Sequence, residues 1–141
     1  GIAKILTAAR LNPWGDLYWR DLSQLYLNQA NQIAADTKLS SDQKNSQTQT
    51  AISNAVASAK QAVSVASSSV ENWNVEGFIY RNLIGAAGAD TAAIQSYEKA
   101  GDLEPASPFS WTELGRVYLL QSQNLAGQKN MGDKQKEALG L

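Results

Sequence analysis

Apolar residues recur every three or four positions through most of the chain, the spacing that places them on one face of an α-helix. One long stretch of this kind predicts a helix over residues 16–36, and another predicts a helix over residues 41–66. The turn between them, T-K-L-S-S-D-Q-K, offers Ser40 or Ser41 as the N-cap of the second helix. The pattern also predicts shorter helices over 1–11, 70–84, 91–102, 109–122 and 133–140, about seven helices with the partial ones at both ends.

The polar stretch 42–50, D-Q-K-N-S-Q-T-Q-T, has two interpretations. Its composition is typical of a low-complexity linker. It also joins a periodic segment without Gly or Pro, which favours a solvent-facing extension of the 41–66 helix. On the second interpretation, which we prefer, the first hairpin projects as two long helices.

Breaker and capping residues mark the other helix ends. Gly85 follows the 70–84 helix, Asp90 is a candidate cap for the 91–102 helix, and Ser107 with Pro108 is a favourable start for the 109–122 helix. A polar, glycine-containing segment, G-Q-K-N-M-G-D-K, predicts a loop before the last helix.

One motif occurs three times, and we call it the tryptophan motif. It reads W-R-D-L-S-Q-L-Y from Trp19, W-N-V-E-G-F-I-Y from Trp73 and W-T-E-L-G-R-V-Y from Trp111. Each copy has a small residue four positions after the Trp and a Tyr seven positions after it. Residues seven apart share a helical face, and a small residue between them lets a neighbouring helix approach closely. The three copies therefore predict the packing faces of three helices.

A second motif, which we call the alanine motif, precedes each tryptophan motif. Its best copy has successive spacings of four, three, three and two residues and ends in a proline six residues before the Trp. The copies are Ala93, Tyr97, Ala100, Leu103 and Pro105; Gly1, Ile5, Ala8, Leu11 and Pro13; and, in the middle, Ala55, Ala59 and Ala62, where Ser67 replaces the proline.

The two motifs together, W-x2-[LE]-[GS]-x2-Y followed by A-x3-Y-x2-A-x4-P, resemble the tetratricopeptide repeat. The resemblance covers most of the chain. It implies an all-α solenoid of antiparallel helix pairs, wound into a right-handed superhelix with a concave face.

The repeat length departs from the family's usual value of about 34 residues. Successive motif tryptophans stand 54 and 38 residues apart here, so the first repeat is enlarged. We expect one repeat domain, 1–141, cut from a longer array, with a trailing helix of a preceding repeat (1–13), an enlarged repeat (14–67), a second repeat (68–105) and a third, incomplete repeat (106–141).

The amino-acid composition excludes several kinds of catalytic and metal site. The 141 residues include no His and no Cys, and the net charge is −1. These counts exclude His bases, Cys nucleophiles, Cys or His zinc sites and disulfides. The charge gives no basic field for nucleic acid, and no stretch is long and apolar enough to cross a bilayer. We therefore expect no enzyme, no cofactor, no metal site and no membrane insertion by this segment.

Several polar groups are candidate chemical sites. The S-D-Q-K sequence at 41–44 and the pair Glu98 and Asp102 are typical of solvated helix surfaces. Glu76 stands where the repeat family has Leu, between helices. It is expected either to be partly buried and paired with Arg81 or Arg116, or to keep its carboxylate in water.

The resemblance implies a ligand-binding face on the first helix of each pair. Arg20, Arg81 and Arg116 are expected to form a spaced ladder, Asn and Gln to bond a peptide backbone, and Phe78 to receive an apolar side chain. A solvated face without a ligand is the alternative. The candidate residues are Leu17, Arg20, Asp21, Gln24, Asn28, Asn74, Phe78, Arg81, Asn82, Thr112, Arg116 and Leu119.

The chaperone-binding subclass of the family, which holds a terminal carboxylate with two Lys or Arg and two Asn, does not fit. Phe109, Glu113 and Val75 occupy three of the comparable places. The partner is therefore expected to be a protein or peptide that the sequence does not identify.

Two other hypotheses stay open. Divergent repeats with a long first hairpin also resemble extramembrane accessory regions of larger bacterial envelope membrane proteins, such as O-antigen-ligase-like glycosyltransferases. Many hydrophobic spans upstream would favour that hypothesis. The third hypothesis is self-association through uncapped repeat ends.

Overall fold

The computed structural model describes residues 1–140, and its regular elements are six α-helices. The fold class is therefore all-α. In chain order the helices are α1 (Ile2–Leu11), α2 (Asp16–Ala35), α3 (Ser41–Val65), α4 (Val70–Arg81), α5 (Ala89–Leu103) and α6 (Pro108–Ala138).

The long first hairpin is confirmed. The α2 and α3 helices have 20 and 25 residues, and the polar stretch 42–50 is helical rather than a linker. Ser40 is the N-cap of α3 and forms a complete capping box. Its Oγ accepts the Gln43 N–H at 3.3 Å, while Gln43 Oε1 accepts the Ser40 N–H at 3.1 Å. Two backbone donors that a helix start leaves unpaired are thereby satisfied.

The predicted loop before the last helix is wrong. The G-Q-K-N-M-G-D-K segment lies inside α6, which runs unbroken for 31 residues, so the described chain has six helices rather than about seven. Glycine in a helix interior costs only about 1 kcal/mol relative to Ala. The Gln, Lys and Met residues around Gly127 and Gly132 are good helix formers, and the segment contains no proline to stop the helix.

Two other boundaries differ from the sequence prediction. The α4 helix ends at Arg81, three residues earlier than expected. The α5 helix begins at Ala89, so its N-cap is Gly88, with a left-handed φ of 80°, and not Asp90. Asp90 lies in the first turn, where its carboxylate accepts the Thr91 N–H at 2.8 Å and the Gln121 amide at 2.7 Å. These hydrogen bonds hold the pKa of Asp90 below its usual value.

Consecutive helices pack against each other, and two apolar clusters connect them. One joins α2, α3 and α4 through Leu27, Ala55, Ala59 and Ile79. The other joins α5 and α6 through Ala93, Tyr97, Leu114 and Val117, with Tyr80 and Ile84 packed against it. The α2 helix also contacts α4 directly. The alanine motif therefore supplies core residues of α3 and α5.

The same hydrogen bond recurs at the start of all three tryptophan motifs. The indole N–H donates to the backbone carbonyl six residues earlier: Trp19 to Pro13 at 2.9 Å, Trp73 to Ser67 at 2.7 Å and Trp111 to Pro105 at 3.2 Å. The acceptor is a main-chain oxygen, which explains why Ser67 can stand where the other copies have proline. The sequence repeat is thus also a structural repeat.

Candidate functional site

A groove with a volume of about 560 Å³ crosses α2, α4 and the start of α6. Five of the twelve candidate residues line it: Leu17, Arg20, Asp21, Gln24 and Asn74. Six further lining residues were not among the candidates: Val70, Glu71, Val75, Glu104, Ser107 and Phe109.

The lining residues occupy equivalent positions in successive tryptophan motifs. Leu17, Glu71 and Phe109 each stand two residues before the motif Trp, and all three line the groove. Arg20 and Asn74 likewise share the position one residue after it. The candidate set contained Leu17 but not its counterparts. Carrying the register from the first copy into the other two would have found them.

The arginines do not form a ladder of unengaged cations. Arg20 Nη1 lies 2.5 Å from Glu71 Oε2 of the neighbouring α4 helix. Arg81 of α4 forms an ion pair with the buried Glu113 of α6, and Arg116 lies 3.0 Å from the same carboxylate. Arg20 and Arg81 therefore link neighbouring helices, whereas Arg116 pairs with Glu113 within α6, and Arg81 leaves little charge for a ligand.

Buried polar groups fix the α4 helix against both of its neighbours along the groove. The fully buried Asn72 donates its amide to Asp16 Oδ2 of α2 at 2.9 Å and to the Ala62 carbonyl at 3.0 Å. On the other side, the fully buried Ser110 of α6 donates its hydroxyl to Asn74 Oδ1 at 2.9 Å. A buried polar group that loses its partner is costly, so these bonds hold the groove walls in register.

The groove has apolar walls and an acidic balance. Leu17 is 51% exposed and Phe109 is 55% exposed, and they approach the groove from its two ends. Its charged lining residues are one guanidinium, Arg20, and three carboxylates, Asp21, Glu71 and Glu104. Since Glu71 neutralises Arg20, the remaining carboxylates favour a cationic ligand.

The other seven candidate residues lie outside this groove. Phe78 is 37% exposed, and the Arg81 guanidinium lies over its ring at 5.4 Å from the centroid. The Asn82 amide donates to the Phe78 carbonyl at 2.8 Å, so it caps its own helix. The remaining four candidates are exposed on α2 and α6: Asn28, Thr112, Arg116 and Leu119.

Glu76 is only 7% exposed, so its expected burial is confirmed and a carboxylate kept in water is the wrong alternative. The expected pairing with Arg81 or Arg116 is also wrong, because both arginines pair with Glu113. Glu76 accepts a hydrogen bond from Ser96 Oγ of α5 at 3.1 Å instead. Burial raises the pKa of Glu76 above its usual value, while the Ser96 hydrogen bond and the charge of Lys60 oppose the shift.

Replacing Glu76 by leucine is expected to stabilise the protein at pH 7. When folding raises the pKa of a carboxyl, the protein loses stability as the pH rises from the unfolded pKa through the folded pKa of that group. The charged form of Glu76 therefore destabilises the folded protein at neutral pH. The Ala92 carbonyl, 2.9 Å from Ser96 Oγ, can accept the hydroxyl proton once the carboxylate is gone. We expect a gain of about 1 kcal/mol in the free energy of unfolding at pH 7, and a smaller gain near pH 3, measured by urea denaturation.

The matched control is Glu98→Leu, at an exposed position of α5, where the change should stay within about 0.5 kcal/mol. Equal or lower stability of the Glu76→Leu variant at pH 7 would show that the buried carboxylate is not a cost.

Comparison with known proteins leaves the groove to be interpreted from its own residues. No protein-family model matches the chain, and no curated protein matches it. Within residues 1–140, no helix combines the length and apolarity needed to cross a membrane. In the same range, no three Asp or Glu side chains come together as a group that could hold a metal ion.

Proposed function

We propose that the chain is a divergent tetratricopeptide-like solenoid that acts as a non-catalytic interaction scaffold. The three equivalent indole hydrogen bonds and the polar contacts from α2 to α4 and from α4 to α6 support this proposal. In this arrangement α2, α4 and α6 lie side by side as the inner, concave layer, and α1, α3 and α5 form the outer layer.

The ligand of the concave groove is an extended protein segment that carries apolar and basic side chains. One observation carries this conclusion: equivalent positions of three successive motifs line a single open groove. A repeating surface suits a ligand whose side chains also repeat, as in an extended peptide. Leu17 and Phe109 offer apolar contacts at the two ends of the groove, and Asp21 and Glu104 offer charge for Lys or Arg.

Two amides can fix the peptide backbone. Asn74 accepts the Ser110 hydroxyl at its oxygen, which orients its amide nitrogen as a donor. Gln24 is exposed on α2 and lines the same groove. Side-chain amides pair with both donors and acceptors of a peptide backbone, so these residues give orientation while the apolar contacts give affinity.

Selection of a phage-displayed library of random linear peptides against the chain tests this function. We expect enrichment of sequences that combine Lys or Arg with apolar residues. A selected peptide should lose at least about tenfold in affinity, or about 1.4 kcal/mol, when Phe109 is changed to Asp, and a similar amount when Glu104 is changed to Lys. Both side chains are exposed, so the fold should survive.

Matched controls carry the same changes away from the groove. Leu139→Asp and Glu137→Lys alter exposed residues near the end of α6 and should leave the affinity unchanged. Enrichment of acidic peptides, or equal binding by the Phe109→Asp variant, would refute the groove as the binding site.

A further inference from the structure

The groove carries the same combination of side chains twice, an exposed apolar residue together with a carboxylate. On α2 the pair is Leu17 and Asp21, which stand four residues apart and share one face of the helix. Beside the start of α6 the pair is Phe109 and Glu104. The turn that leads into α6 keeps Glu104 close to that helix, because the Ser107 N–H donates to the Glu104 carbonyl at 3.1 Å. We call these pairs the α2 half-site and the α6 half-site.

The α4 helix, which lies between the half-sites, offers a different surface. Its lining residues are Val70, Glu71, Asn74 and Val75. The carboxylate of Glu71 already holds the Arg20 guanidinium at 2.5 Å, so it adds little net charge to this part of the groove. Asn74 supplies an amide, and the two valines are half-buried. This part of the groove therefore suits a peptide backbone with uncharged side chains rather than a further basic residue.

Two helix-packing steps separate the half-sites. The α4 helix is bound to α2 through Asn72 and Asp16, and to α6 through Asn74 and Ser110. Packed helices lie about 8–10 Å apart, so the two half-sites are about 16–20 Å apart. An extended chain advances about 3.3 Å per residue. A ligand therefore needs about five or six residues to pass from one half-site to the other.

We propose that the groove recognises a two-pair ligand: a segment with two pairs of one apolar and one basic residue, at least about five positions apart. The inference rests on the proposed function and narrows its ligand to one class of segment. In each pair the apolar side chain contacts Leu17 or Phe109, and the cation lies beside Asp21 or Glu104. A segment that fills both half-sites gains an avidity that a single pair lacks.

A series of synthetic peptides tests the spacing. Two peptides carry two leucine–lysine pairs in an uncharged background, with the leucines either two or six positions apart, and a reference peptide carries one pair. Isothermal titration calorimetry against the unaltered chain measures each affinity. The six-position peptide should bind at least about tenfold more tightly than the one-pair peptide. The two-position peptide should gain no more than about twofold, because its pairs cannot reach both half-sites.

Two groove variants provide an independent readout. Leu17→Asp and Phe109→Asp each disable one half-site, and both positions are exposed, so the fold should survive. Each variant should bind the six-position peptide at least about tenfold more weakly, down to the affinity of a single pair. Each should lose no more than about twofold for the two-position peptide, since the other half-site still binds it. The matched control, Leu139→Asp, should bind every peptide like the unaltered chain.

The two-pair ligand and the proposed function fail through different results. Equal affinity of the two-position and six-position peptides would overturn the two-pair ligand. An equal loss for every peptide when Phe109 is changed to Asp would also overturn it. Either result, with binding that still depends on groove residues, leaves the proposed function intact. If neither this series nor the random library yields a peptide whose affinity depends on Phe109, both proposals are wrong.

Discussion

Replacing Tyr97 by alanine is expected to lower the free energy of unfolding by about 3–5 kcal/mol, as for other buried aromatic side chains. Tyr97 is only 1% exposed and is the largest of the fully buried side chains. It packs on Gly77 of α4 and belongs to the cluster with Leu114 and Val117 of α6. Its removal therefore leaves a cavity shared by three helices. Urea denaturation followed by circular dichroism measures the effect.

The control Tyr97→Phe keeps the ring and removes the hydroxyl. Burial raises the pKa of Tyr97 from 10.0 to about 12, with Arg81 opposing the shift and Glu113 adding to it. The unfolded chain thus loses this proton at lower pH than the folded protein does. Stability supplied by the protonated hydroxyl is complete below pH 10 and is lost as pH rises to about 12.

The unaltered protein should accordingly lose about 2–3 kcal/mol more than Tyr97→Phe between these two pH values. Parallel pH curves for the two proteins would show that Tyr97 titrates normally. A loss below about 1 kcal/mol in Tyr97→Ala would mean that this side chain is not central to the core.

Replacing Gly77 by alanine is expected to destabilise the protein by about 1–3 kcal/mol through overpacking. The new Cβ would lie 2.9 Å from three ring atoms of Tyr97, so this buried ring would have to shift. In an exposed helix the same substitution stabilises by up to about 1 kcal/mol. The sign of the change therefore reports the close contact of α4 with α5, and thermal or urea denaturation measures it.

Gly115→Ala is the matched control, because Gly115 holds the same place in the third tryptophan motif. An added Cβ meets no atom within 4 Å there, so this variant should gain up to about 1 kcal/mol at low protein concentration. Changes of the same sign in both variants would contradict the different packing of the two motif copies.

The helices were largely predictable because periodic apolar residues and local caps encode them. Ser40 with Gln43 is a local capping box, and the motif spacing already placed Trp73 and Ser67 in register. The end of the chain was less predictable, since Gly127 and Gly132 weaken a helix without stopping it. Asp90 failed as a cap because the left-handed Gly88 starts the helix two residues earlier.

The groove residues were predictable only where they occupy equivalent positions in the copies of the tryptophan motif. Leu17 identifies Glu71 and Phe109 once the copies are aligned, so those residues were within reach of the sequence. The pairing of Arg81 with Glu113 was not, because it joins residues of two helices whose distance depends on how the helices pack. The burial of Glu76 beside Ser96 was unpredictable for the same reason, because it depends on how α4 packs against α5.

The proposed function requires one extended, basic and apolar peptide to occupy the groove across three motif copies. Chemical-shift mapping, with a selected peptide titrated into isotope-labelled chain, shows which residues the peptide touches. We expect the largest shifts together at Leu17, Asn74 and Phe109, one residue from each of α2, α4 and α6. Shifts concentrated on α3 and α5, or confined to a single helix, would contradict it.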